Sequence, residues 1–138
     1  MTRSLTITKE IRALIRQALR EDAARRDVTT AVCVAPSSRA RARIISQSSG
    51  VVAGLPLVST VFRELDSRLQ VTFPVSDGAH IQRGRLVCVV SGRAASILNG
   101  ERVALNFLAK LSGVASLTRQ FVQRAKPYGV DIYDTRKT

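Results

Sequence analysis

The chain has no tryptophan, a single histidine (His80) and two cysteines, Cys33 and Cys88. Each scarcity removes a class of function. A zinc centre normally takes three or four His or Cys ligands, so none is expected here. The cysteines are far apart and form no Cys-x-x-Cys pair. Both read as reduced thiols, with Cys88 a core residue in the apolar run Leu86 to Val90. Aromatic residues make up only 4%, which leaves few platforms for stacking single-stranded bases. No apolar run approaches the roughly 20 residues of a membrane span. Lys9, Glu10, Arg12 and Arg16 interrupt any secretory apolar segment near the start, so the expected location is the cytoplasm. There is no Gly-x-Gly-x-x-Gly, no Gly-x-x-x-x-Gly-Lys-Ser/Thr, no Gly-x-Ser-x-Gly elbow and no evident Ser-His-Asp set. Repeats, low-complexity tracts and flexible linkers are also missing.

Acidic residues are scarce as well. Ten Asp and Glu stand against 22 Lys and Arg, for a net charge of +12. That balance allows a polyanion binder, possibly for nucleic acid, or a domain that collects anionic small molecules. The basic residues are scattered and no helix-turn-helix or zinc-finger spacing appears, so no nucleic-acid partner is expected. At 138 residues and 45% hydrophobic, the chain is long enough and apolar enough to bury a core.

The pattern predicts a first helix over residues 8–22, capped by Thr8, with Ile11, Leu14, Ile15, Ala18 and Leu19 on its buried face. Lys9, Arg12, Arg16 and Arg20 line the other side, as a solvated stripe or as an anion or subunit contact. Asp27-Val-Thr-Thr30 reads as a turn or cap. Arg39-Ala-Arg-Ala-Arg-Ile44 alternates as a strand with its arginines outward. A short strand over Gly50–Gly54 precedes a helix opened by Leu55-Pro56, with Leu57, Val58, Val61, Phe62 and Leu65 in the core. Strands follow at Leu69 to Val75, where Pro74 marks an edge or end, and at Leu86 to Val90. Asp77-Gly78 and Arg83-Gly84 are turns.

The last third carries the chemistry. Glu101 to Arg119 reads as a helix in which Ile97, Glu101, Ala104, Leu108 and Leu111 share one face. Glu101 would then sit inside an apolar stripe with Arg102 beside it, and Gly100 would either weaken the helix or allow close backbone approach. Ser112-Gly113 predicts a break, with a second helix whose face is Val114, Leu117, Phe121 and Ala125. Pro127 and Gly129 stop it. Val130 to Asp134 reads as a short buried strand. Thr135, Arg136 and Lys137 lie just past its end, where α/β folds gather ligands, as an anion site or as a solvated basic tail.

Three runs in this region, Glu-Arg-Val-Ala-Leu-Asn-Phe-Leu, Leu-Ser-Gly-Val-Ala-Ser-Leu-Thr and Asp-Thr-Arg-Lys-Thr, resemble quinolinate phosphoribosyltransferase, also called nicotinate-nucleotide pyrophosphorylase (carboxylating). The resemblance extends back through Asp77-Gly78, Phe62-Arg-Glu-Leu-Asp66, Ala53-Gly54-Leu55-Pro56 and Asp27-Val-Thr-Thr30. It implies an α+β fold: the N-terminal α/β sandwich-type domain of a type II phosphoribosyltransferase. That domain would span residues 1–127, with a helical pair at about 94–111 and 114–126. Residues 128–138 would be the first strand and substrate-binding run of an α/β barrel that is otherwise missing.

The same resemblance implies a pentosyltransferase of pyridine nucleotide (NAD) biosynthesis. It would join quinolinate to phosphoribosyl pyrophosphate with Mg²⁺, giving nicotinate mononucleotide, pyrophosphate and CO₂. Arg102 matches an arginine that one subunit of a homodimer reaches into its neighbour's site. Thr135, Arg136 and Lys137 match the substrate-binding run, with Lys137 the catalytic candidate. Asn106 is a weaker candidate for orienting Arg102.

Two departures qualify this picture. Residues 23–26, between Glu21-Asp22 and Asp27, are Ala and Arg where the family usually has glycines. The chain also stops at Thr138, whereas a barrel needs roughly 200 further residues, and the Mg²⁺ ligands would lie among them. The fragment is therefore expected to be inactive alone, with its barrel-facing helix surface exposed and prone to association. Two alternatives stay open: a non-catalytic dimerisation or anion-binding module of the same descent, and the family's molybdate-operon relative.

Overall fold

A computed structural model of the chain describes residues 5–22 and 27–135. The first helix, α1, runs Lys9–Glu21 and begins as its sequence requires. Thr8 is extended, and its hydroxyl accepts from the Ile11 N–H, satisfying one donor of the first turn. Ile15 and Leu19 are buried, but Leu14 is 53% exposed, which corrects its assignment to the inner face. A short helix α2, Val28–Cys33, is capped by Asp27, whose carboxylate accepts from both the N–H and the hydroxyl of Thr30.

The long strand pair comes next. Strand β1, Arg39–Ile45, lies antiparallel to β5, Leu86–Arg93, with Arg43 opposite Val89 and Arg39 opposite Arg93. Strand β3, Gln70–Thr72, pairs on the other side of β5, so among the described residues the sheet order is β1-β5-β3. The central place of β5 explains its apolar run: Val87, Cys88, Val89 and Val90 are all buried. The strands at Gly50–Gly54 and Leu69 to Val75 are shorter than their patterns implied. The first is β2, Gly50–Val51, paired with β4, His80–Ile81. The second is β3 alone, since the chain leaves the ladder before Pro74, which lacks the N–H a ladder needs.

Helix α3, Leu55–Leu65, starts with Pro56 in its first turn. Gly54 precedes it and has no side chain to cap with. The Asp77 carboxylate takes that role, accepting from the Leu55 N–H at 2.8 Å. Val58, Val61 and Phe62 of α3 join Ile15, Val90 and Cys88 in one continuous core.

The largest difference from the sequence pattern is α4. It runs unbroken over Ala94–Ala125, and a 3₁₀ turn follows at Lys126–Tyr128. No break occurs at Ser112-Gly113. A helical glycine costs only about 1 kcal/mol relative to alanine, too little to end a helix whose neighbouring turns are pinned elsewhere. The pins are serines. Ser112 Oγ accepts from the Ala53 N–H at 3.0 Å, and Ser116 Oγ accepts from the Val51 N–H at 2.8 Å. They satisfy backbone donors of the segment beside β2.

Gly100 lies inside α4 without interrupting it. A Cβ there would stand 2.9 Å from Leu65 Cδ1 and from Phe62 Cδ1, so its absence lets α3 and α4 approach closely. Ile97, Gly100, Val103, Ala104 and Leu108 form the inner stripe of α4, and Glu101 is exposed beside it. The periodicity put Glu101 on the wrong side of the boundary, because 3.6 residues per turn carries position 101 past the buried arc that 97, 100 and 104 define.

Beyond the 3₁₀ turn, residues 130–135 form no strand, and Val130, Ile132 and Tyr133 are exposed. A strand needs a neighbour to take its backbone hydrogen bonds, and no described strand lies alongside. No described helix is long and apolar enough to cross a membrane.

Candidate functional site

The candidate site is built around Arg102, in the third turn of α4. Three contacts fix that turn. Gly100, two residues earlier, is seated against Phe62 and Leu65 of α3. Helix α3 is tied in turn to α1. Glu64 accepts from Arg12 Nη1 at 2.7 Å and from Arg16 Nε at 2.8 Å. Those guanidinium groups hold the Glu64 carboxyl below its ordinary range, Arg16 contributing most. The basic stripe of α1 is thus partly an inter-helix clamp. The third contact closes the triangle. Arg102 Nη1 donates to Asp22 Oδ1, at the C-terminal end of α1, at 3.1 Å.

Arg102 is otherwise open. Its side chain is 76% exposed, against 20% for Asp22. A second carboxylate is near. Asp27 has its carboxyl lowered chiefly by the Thr30 hydroxyl and backbone, with a smaller contribution from Arg102. A guanidinium carries five N–H donors in a rigid fork, and the Asp22 bond uses one. The remainder are free to take an external carboxylate.

Beside Arg102 a groove of about 580 Å³ runs between α1 and α4. Val103, Phe107 and Leu111 supply its apolar part, and Asp22, Asn106 and Lys110 its polar groups. Arg102, Asn106 and Lys110 are spaced i, i+4, i+8 and lie along one line of the helix, all exposed. Asn106 makes no hydrogen bond to Arg102; the side-chain partner of Arg102 is Asp22. The i+4 spacing could have revealed Lys110 from the sequence. Nothing local could have revealed Asp22, 80 residues from its partner.

Thr135 is described and exposed, in the coil after α4. It makes no hydrogen bond with Arg102. The 23 residues from Arg102 to Ala125 cover about 35 Å at 1.5 Å per residue. The Val130 N–H still bonds the Ala125 carbonyl at 3.5 Å, so the chain stays at the far end of α4 to that point. About 35 Å of helix thus separates Arg102 from the point where the segment leading to Thr135 begins. Arg136 and Lys137 lie outside the described residues, as do residues 23–26, where the family glycines are replaced. Among the described residues no three His, Cys, Asp or Glu side chains gather into a group that could hold a metal ion.

The model of the quinolinate phosphoribosyl transferase N-terminal domain matches residues 27–112, which is most of the described core. The chain belongs to that family. A probable nicotinate-nucleotide pyrophosphorylase (carboxylating) of Synechocystis is 37% identical over 124 residues, covering 90% of this chain and 42% of the relative. Quinolinate phosphoribosyltransferase (decarboxylating) 1 of Nicotiana glauca is 36% identical over 132 residues, covering 95% of this chain and 37% of the relative. The crystal structure of NadC from Streptococcus pyogenes superposes with a TM-score of 0.92 at 34% identity, over 99% of this chain and 48% of that one. The expected α+β N-terminal domain of the family is therefore the fold observed, and the chain spans less than half the length of these relatives.

Proposed function

We propose that this chain is the N-terminal, arginine-donating part of a quinolinate phosphoribosyltransferase. The complete protein would transfer the phosphoribosyl group of phosphoribosyl pyrophosphate to quinolinate. It would release pyrophosphate and CO₂ and form nicotinate mononucleotide, a step of NAD biosynthesis in the cytoplasm. The observation that carries this reading is Arg102: an open guanidinium on a long helix, hydrogen-bonded to one carboxylate through a single N–H, in a chain whose relatives are named for that reaction.

Quinolinate presents two carboxylates, and an arginine fork binds carboxylate through paired hydrogen bonds that a lysine ammonium does not reproduce. Arg102 would hold one carboxylate and Arg136 the other, with Thr135 adding a hydroxyl. Lys137 would stabilise the negative charge that builds up as pyrophosphate departs. The length of helix between Arg102 and the start of the segment leading to Thr135 supports a homodimer in which one subunit's Arg102 serves its neighbour's Thr135–Lys137 run. By the family resemblance, the Mg²⁺ of the reaction would be held by acidic residues of the barrel portion together with substrate phosphates. The exposed row Val114, Leu117 and Phe121 supports association of this part with a covering surface.

The test is Arg102→Ala in the protein as its native source makes it. KM for quinolinate should rise at least tenfold, with KM for phosphoribosyl pyrophosphate and the melting temperature unchanged. Unaltered quinolinate kinetics would remove Arg102 from the site. The purified 138-residue chain alone should form no nicotinate mononucleotide.

A further inference from the structure

Arg102 is held by a residue to which the family resemblance gives no role. We infer that Asp22 is the positioning residue for Arg102, fixing the direction in which its guanidinium meets a substrate carboxylate. The inference rests on the proposed role of Arg102.

Four observations carry it. First, the contact is single-point. Asp22 Oδ1 takes Arg102 Nη1 at 3.1 Å and leaves the rest of the fork available, so anchoring and substrate binding are compatible. Second, Asp22 is the C-cap of α1, and its backbone N–H is already used by the Ala18 and Arg20 carbonyls. A carboxylate at that end of a helix faces the negative pole of the peptide dipoles, so it contributes nothing to helix stability. Its service is to its partner. Third, the anchor does not move freely. Helix α1 is clamped to α3 by Glu64, and α3 is seated on α4 at Gly100, two residues from Arg102. Both ends of the Asp22–Arg102 bond therefore belong to one packed unit. Fourth, the Asp22 carboxylate also lines the groove along which Asn106 and Lys110 follow Arg102, so it sets where the cationic edge begins.

An unanchored arginine on a helix surface samples many rotamers, and binding must then include the entropy of ordering it. With Asp22 in place that ordering precedes the substrate.

The experiment uses the protein as its native source makes it, with quinolinate titrated calorimetrically and in steady-state assays. Asp22→Asn keeps the shape and removes the charge. Quinolinate Kd and KM should rise about 2- to 5-fold, the scale of an exposed ion pair, with kcat and the melting temperature unchanged. Asp22→Glu should restore part of the loss. In the Arg102→Ala background Asp22→Asn should add nothing, because its only route to substrate is gone. If Arg102→Ala weakens quinolinate binding and Asp22→Asn leaves it unchanged, the inference fails and the role of Arg102 stands. A tighter Kd in Asp22→Asn also overturns it, since Asp22 would then compete with substrate. If the parent protein binds no quinolinate, or Arg102→Ala changes nothing, both readings fall.

Discussion

Two glycines of α4 offer a sharp test of how this fold is held together. Both sit inside an unbroken helix, so each costs about 1 kcal/mol of helix stability relative to alanine. Their surroundings are opposite. A Cβ on Gly113 would meet nothing within 4 Å, whereas one on Gly100 would stand 2.9 to 3.0 Å from Leu65 Cδ1, Phe62 Cδ1 and Phe62 Cε1. Gly113→Ala should therefore stabilise the chain by about 1 kcal/mol, raising Tm by roughly 3 to 5 °C for a domain of this size. Gly100→Ala collects the same helical gain but must displace a buried aromatic ring, and overpacking of that kind costs about 1 to 3 kcal/mol. Its net effect should be zero to about 2 kcal/mol of destabilisation. Urea titration followed by circular dichroism, with calorimetric melts, measures both. Equal shifts would refute the reasoning, because helix propensity alone would then account for both positions. A destabilising Gly113→Ala would mean that Ser112-Gly113 is a real helix break after all.

Three further predictions follow from individual contacts. Ser116→Ala strands the Val51 N–H, which now donates to Ser116 Oγ at 2.8 Å, and should cost about 1 to 3 kcal/mol, visible as early hydrogen exchange at Val51. Cys33 is exposed, while Cys88 is fully buried and its thiol is pushed up to about 12 by that burial. At pH 8 a disulfide reagent should therefore titrate one thiol in the native chain and two only in denaturant. The Asp66 carboxyl is held at about 2 by hydrogen bonds from the Arg68 side chain and backbone and from Ser96. Because the folded value lies below the unfolded one, its stabilisation is complete above about pH 4 and disappears as pH falls toward 2. Asp66→Asn should lower stability at pH 7 and flatten the acid limb between pH 4 and 2. An unchanged acid limb would discard that assignment.

Much of this protein was legible in its residues. Thr8 and Asp27 cap their helices because short side-chain oxygens reach N–H groups three residues on, a purely local geometry. The core of α3 follows from apolar spacing, and β5 from an apolar run. The motifs pointed to the family and made Arg102 a candidate. What failed was local reasoning applied to a long-range question. Ser112-Gly113 has the composition of a helix end, yet α4 continues, because Ser112 and Ser116 are bonded to the backbone at Ala53 and Val51, about 60 residues away in sequence. Val130 to Asp134 has the composition of a strand, but composition does not provide the adjacent strand that would accept its hydrogen bonds. Glu101 shares the spacing of the buried stripe and is still exposed, since α3 approaches α4 at Gly100 and not across it.

The division has a physical reason. Caps, turns and amphipathic faces arise within a few residues, so the sequence by itself determined them, together with the family and the candidate arginine. Which carboxylate anchors that arginine depends on α1, α3 and α4 meeting in one place. Asp22 and Arg102 are brought to 3.1 Å by the packing of Ile15, Phe62 and Gly100, and only the tertiary structure decides that.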